Sequence, residues 1–194
     1  MVFATQLPAS DVRIVRLTSD DTPSVFAQMT APDGTIFRFV GLHPQPPLPG
    51  QDTDERDAQT YYAALLAHKS NVPMVATGAF NDIAWSATSR TFKRVGRYLD
   101  PRIGRGFFAS FDAEKFYPRF PIDQLFVTED VAMVSIKRLA YIGSDHFPMA
   151  ARLRVNAEPA ARLNVTPEPV SDGEQRLIGE SIARTRVRLG AMSL

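Results

Sequence analysis

The chain has no cysteine among its 194 residues. That excludes disulfide staples, thiol catalysis and thiolate metal centres, and it leaves the redox compartment open. Net charge is almost absent as well: 22 lysines and arginines stand against 21 acids, a formal charge of +1. No global field therefore marks a nucleic-acid binder. The opening residues, Met1-Val2-Phe3-Ala4-Thr5-Gln6, lack a basic region followed by an apolar core, so they form neither a signal peptide nor a membrane span. As given, the chain reads as cytoplasmic. There is no internal repeat. What is present is an ordinary globular composition, 44% hydrophobic and 22% charged, long enough for one domain with a sizeable core.

The pattern along the chain is mixed α and β. Val12 to Leu17 alternates apolar and basic residues, as a half-buried strand does. Ser24 to Thr30 and Thr35 to Leu42 flank Ala31-Pro32-Asp33-Gly34, whose Pro and Asp-Gly are in turn-forming order, so the two runs predict a hairpin. His43 follows, and Pro44, Pro46, Pro47 and Pro49 stop further pairing. Gln51 to Lys69 predicts a helix capped by Asp52 and Glu55, with Ala58, Tyr61, Tyr62, Leu65 and Leu66 on one stripe. Val72 to Thr77 predicts a buried strand, and Ser86 caps a helix over 87–95. Gly96 to Arg119 is irregular, rich in glycine, aromatics and arginine. Pro121 to Thr128, Val131 to Leu139 and Phe147 to Val155 predict strands. Glu158 to Pro169 reads as a linker. Ser171-Asp172-Gly173-Glu174 opens a last helix to about Leu189, with Arg184, Arg186 and Arg188 off its apolar side.

Three short stretches carry the chemistry. Gly143-Ser144-Asp145-His146 follows a tight turn and precedes an apolar strand. Gly78-Ala79-Phe80-Asn81-Asp82 follows an apolar strand. Asp123 lies within the strand-like run Pro121 to Phe126. An imidazole such as His146 takes a proton near neutral pH, and works best when a carboxylate holds its other nitrogen. Read from residue types alone, His146 and Asp145 also fit a surface histidine beside a turn aspartate. Asn81 with Asp82 fits a plain turn pair. His43 fits a histidine packed under the proline loop, and Arg102, Arg105 and Arg119 fit solvated arginines on a loop anchored by its phenylalanines.

In order and chemistry these stretches resemble the motifs of the endonuclease/exonuclease/phosphatase superfamily: G-D-x-N after a strand, an Asp before an aromatic-rich strand, and a closing S-D-H. Leu42-His43-Pro44, Trp85-Ser86 and Asp100-Pro101-Arg102 add to the likeness, which runs from about Gln6 to Val155. The resemblance implies an α+β fold, part of a four-layer α/β/β/α sandwich of DNase I type. The N-terminal half of that sandwich, with its early Asn and metal-binding Glu, has no counterpart, so the chain is expected to begin near the middle of the domain. Residues 1–156 would form the family-like domain, and 157–194 a linker with a C-terminal amphipathic helix.

For the site, the resemblance implies that His146, oriented by Asp123, activates water, with Asp145 and Asn81 completing the catalytic set. It implies Asp145 and Asn81 as ligands of a divalent Mg or Mn ion, and His43, Arg105 and Arg119 as substrate-binding groups on a phosphate ester. Ala79 stands where the motif has Asp, and it brings neither a proton acceptor nor a metal ligand. Two readings follow: a phosphoric ester hydrolase, metal-dependent or relying on the His-Asp pair alone, and a catalytically impaired remnant that binds a phosphate ligand or a protein. Nucleic-acid binding by the arginine-aromatic segment or the basic last helix is a third, against which the near-neutral charge argues. An incomplete first sheet would leave apolar surface and strand edges uncovered, which predicts a homodimer.

Overall fold

The computed structural model describes residues 1–18, 21–47, 50, 52–164 and 169–185. Strands β1 (Ala9–Arg16), β2 (Pro23–Thr30) and β3 (Ile36–Leu42) form an antiparallel meander. The turn between β2 and β3 is the expected one. Gly34 N–H donates to the Ala31 carbonyl (2.9 Å), Asp33 Oδ1 accepts from Thr35 N–H (2.9 Å), and Gly34 takes the positive φ (88°) that suits a glycine there.

Helix α1 (Asp54–His68) then crosses over, and β4 (Met74–Ala79) pairs parallel to β3. After α2 (Ala87–Gly96) and the short β5 (Tyr98–Leu99), β6 (Asp123–Thr128) inserts between β4 and β5. The six-stranded sheet has the order β1-β2-β3-β4-β6-β5. Strands β7 (Val131–Arg138) and β8 (Met149–Val155) form a separate two-stranded sheet.

The two faces of the large sheet are covered differently. Helices α1, α2 and α4 (Asp172–Thr185) pack on one face. There Val40, Leu42, Met74, Ala76, Phe80 and Phe126 meet Tyr61, Ala64, Phe92, Tyr98 and Ile178. Phe92 lies 5.5 Å from Phe80 and 5.1 Å from Phe126, between ring centroids. Each such buried ring contributes about 1.5–3 kcal/mol relative to exposure. The other face, with Ala27, Met29, Phe37, Val75 and Val127, meets Val131, Leu153 and Val155 of the β7–β8 pair and residues near the N-terminus such as Phe3.

Several expectations are refined. Thr53 stands at the N-cap position of α1 without a side-chain cap bond, while the Asp52 carboxylate accepts from Asp54 N–H (3.1 Å), the first N–H of the helix. Burial on α1 is broader than one stripe: Ala58 to Ala64 are all buried, since the helix is packed against the sheet, α2 and α4. The reading of 158–169 as a linker is corrected over its first part; 165–168 lie outside the described residues. Ala157–Leu163 is a helix, α3, capped by Asn156 Oδ1 on Glu158 N–H (3.0 Å) and packed against β7. The capping box opening α4 is as the sequence predicts: Ser171 Oγ accepts from Glu174 N–H (3.3 Å), and Glu174 Oε2 accepts from Ser171 N–H (3.0 Å). The later residues of that predicted helix, Arg186, Arg188 and Leu189, lie outside the described residues. Among the described residues no helix is long and apolar enough to cross a membrane.

Candidate active site

The strand registers place the chemistry before any side chain is considered. Leu42 pairs with Gly78, and Ala79 pairs with Asp123. Paired residues project to the same face, so Ala79 and Asp123 share one face at one end of the sheet. By alternation this is the face of Val75, Leu125 and Val127, the one turned to the β7–β8 pair. His43 follows Leu42 at the same end. The approach of β3 to β4 there requires glycine at 78: a Cβ would lie 1.8 Å from the Leu42 carbonyl oxygen, and φ is +143°.

The loop between β7 and β8 brings His146 to Asp123. Nδ1 lies 2.6 Å from Asp123 Oδ2, with both side chains about a quarter exposed. An ionised carboxylate only accepts, so Nδ1–H donates and Nε2 is the ring nitrogen available for proton transfer. Both residues line a cleft of about 490 Å³ between the two sheets, with Phe39, Val75, Thr77, Leu125, Ile142 and Met149 among its walls. His43 senses the pair. His43 is exposed at its surface, but desolvation by the atoms around it, the chain's amino terminus and His146 hold its imidazole below the ordinary range, and Asp123 opposes them.

Most of the remaining expected residues are engaged away from this pair. Asn81, at φ +51°, donates its side-chain amide to the Pro44 carbonyl (2.7 Å) and so fixes the chain just after His43. Asp82 belongs to the scaffold. Its carboxylate accepts from Ile83 N–H (2.9 Å) and from the hydroxyls of Ser86 and Ser89 (3.0 Å for Ser89), while its carbonyl accepts from Gln124 Nε2. Asp145 is exposed, and its Oδ1 accepts from the Ser144 hydroxyl (3.3 Å). Arg105 is exposed and donates to the Pro101 carbonyl (2.7 Å). Arg119 donates to the Lys115 carbonyl (2.7 Å) and lies over the Phe147 ring (5.0 Å). Arg102 is buried in an ion pair with Asp100 (2.7 Å). The aromatics do not all anchor their loop: Phe107, Phe116 and Tyr117 are exposed.

Arg56 went unnoticed in the sequence. From α1 it reaches the Asn81 carbonyl (3.3 Å) while paired to Asp57 (2.8 Å). Its only signal was a basic residue in an otherwise acidic first turn.

The donor set does not fit a resident divalent ion. Among the described residues no group of three His, Asp or Glu side chains is gathered as metal ligands. Ala79 has no donor, and Asp123 Oδ2 holds His146. Asn81 is tied to Pro44 through its amide nitrogen, so the side-chain oxygens of Asn81 and exposed Asp145 are the expected ligands that remain, with no second carboxylate among the described residues gathered beside them.

The sequence matches the model of the Endonuclease/Exonuclease/phosphatase family over residues 1–146. No curated protein matches it. Solved structures with a similar fold include D. rerio TDP2 complexed with single-strand DNA product, which is 14% identical with a TM-score of 0.60. That match covers 76% of this chain and 68% of the other. The human Nocturnin catalytic domain with bound sulfate is 10% identical with a TM-score of 0.60, over 76% of this chain and 60% of that one. The mannosyl-6-phosphatase of Bacteroides thetaiotaomicron is 21% identical with a TM-score of 0.51, over 69% and 57%. These likenesses establish the α+β sandwich fold expected from the sequence.

Proposed function

We propose that this chain, which belongs to the Endonuclease/Exonuclease/phosphatase family, hydrolyses phosphate esters with His146 as general base. The observation that carries the reading is the 2.6 Å contact between His146 Nδ1 and Asp123 Oδ2 on the wall of the cleft. Asp123 holds the proton on Nδ1, which leaves Nε2 basic. Nε2 takes a proton from water as its oxygen attacks phosphorus. The P–O ester bond breaks, the alcohol leaves as its oxyanion, and the imidazolium returns the proton to it. His43, at the same strand end, donates N–H to a phosphoryl oxygen as charge builds there. The step is routed through no metal, because the donor set does not fit one. Relatives of this fold include a complex with a DNA product and a sugar phosphatase, and both names imply phosphate esters.

Hydrolysis of an aryl phosphodiester, with and without EDTA, tests the reading alongside His146→Ala. Turnover that survives EDTA and disappears in His146→Ala supports it. Turnover that EDTA abolishes replaces it with a metal-dependent mechanism.

A second reading, a non-catalytic member that binds a phosphate ligand, is favoured by Ala79 and by the attachment of Asn81 to the scaffold. Binding of inorganic phosphate by calorimetry, together with no turnover of any ester tested, is its expected signature.

A further inference from the structure

Between β5 and β6 a strap of four residues, 110–113, lies along the loop that carries His146. Ala113 N–H donates to the Asp145 carbonyl (2.6 Å), and Phe147 N–H donates to the Ser110 carbonyl (2.8 Å). The residues on both sides of His146 are therefore bonded to one segment. Between those two bonds Phe111 pairs with His146 as an isolated antiparallel bridge. Its ring lies 5.0 Å from the imidazole, between centroids, inclined at 47°. The strap is also tied to the other member of the pair. Ser110 has no exposed surface, its N–H donates to the Phe120 carbonyl (3.1 Å), and its Oγ accepts from Asp123 N–H (3.3 Å).

We propose that Phe111 is a positioning residue for His146. The proposal rests on the reading of His146 as the base. An imidazole held at one nitrogen by a carboxylate can still pivot about that bond. The Phe111 ring, tilted against the imidazole at 5.0 Å between centroids, restricts the pivot and keeps Nε2 aimed at one place. An imidazole held in one orientation keeps the Nδ1–H···Oδ2 bond closed for longer, which slows exchange of its proton. Phe111 touches no substrate in this account; it acts through the ring beside it.

The test reads the imidazole directly, by proton NMR on the full chain. A ring proton held by a carboxylate and shielded from exchange gives a resonance far downfield. Asp123→Asn, which removes the partner carboxylate, assigns it. The expected result is that the signal is present in the unaltered protein, lost in Phe111→Ala, and restored in Phe111→Tyr, which keeps a ring. In parallel, Phe111→Ala lowers kcat about tenfold with KM changed less than about twofold, and Phe111→Tyr recovers most of the loss. A folded Phe111→Ala that keeps both the signal and kcat overturns the proposal. Should that variant not fold, Phe111→Leu, which keeps apolar volume without a flat face, is read in the same way, and an unchanged signal again overturns it. The NMR signal does not depend on turnover. A signal that requires Phe111 in a protein with no hydrolase activity would refute the base reading and support the positioning.

Discussion

Two loops close the same edge of the sheet, and they are built in opposite ways. The loop after β4 directs its polar groups into the scaffold: Asn81 to Pro44, Asp82 to the first turn of α2, and the Asn81 carbonyl to Arg56. The loop before β8 directs its polar group at the cleft, where His146 meets Asp123. The family's motifs read alike in both places, yet the first ties Asn81 Nδ2 and the Asp82 carboxylate to the fold, while the second sets His146 on the cleft wall. A motif therefore locates a strand end, and the hydrogen bonds decide whether that end works on a ligand or on the fold.

Substitutions should split along this line. The largest effect is expected at Gly78. Gly78→Ala forces a Cβ against the Leu42 carbonyl and should destabilise the fold by roughly 3 kcal/mol or more, read as the midpoint of urea unfolding. A midpoint near that of the parent would mean that the β3–β4 approach is not tight.

On the cleft side, His146→Ala should lower turnover about 10²–10⁴-fold while leaving the melting temperature nearly unchanged. A matching loss of stability would move His146 to the scaffold side. On the scaffold side, Asp82→Ala should do the reverse. It removes the acceptor of Ile83 N–H and of two serine hydroxyls, at a cost of about 2–3 kcal/mol, with turnover per folded molecule retained.

Ala79→Asp sharpens the comparison by adding a carboxylate to the scaffold loop, on the face shared with Asp123. Two facing carboxylates should lower the melting temperature without divalent ions, and added Mg²⁺ should restore it. A melting temperature indifferent to Mg²⁺ would show that the edge cannot be completed as a metal site.

His43 supplies a smaller, pH-dependent effect. Its folded pKa is depressed below 6.5, so in that window the folded chain binds fewer protons than the unfolded one. Its contribution is present above 6.5 and lost as pH falls through the depressed value. His43→Gln should flatten that part of the stability–pH curve. The smallest effect on either loop is expected from self-association: we propose a homodimer, with the exposed Val12 and Ile14 of the edge strand β1 as part of its surface. A light-scattering mass of one chain would contradict it.

Much of the scaffold was legible because local chemistry dictated it. Asp33-Gly34 makes its turn, Ser86 caps α2 through Ser89 N–H, and Ser171 with Glu174 closes a capping box. The His146–Asp123 pair was implied by family resemblance, and the two side chains lie 2.6 Å apart. What was not legible depends on partners distant in sequence. The amide of Asn81 could not be assigned to Pro44, 37 residues away, from a local pattern. Neither could Phe111 be separated from the four phenylalanines of an irregular segment, since only the fold lays it on His146. The helix α3 was missed because its Pro159 reads as a breaker, though in the first turn of a helix a proline costs no backbone bond.

The measurement that tests the central claim most directly is a double-mutant cycle on kcat/KM for phosphodiester hydrolysis, with His146→Ala, Asp123→Asn and the two combined. If the pair works as one unit, the double variant is no slower than His146→Ala alone. Losses that multiply, or an unaltered protein with no turnover to lose, would contradict the assignment of a working His146–Asp123 pair.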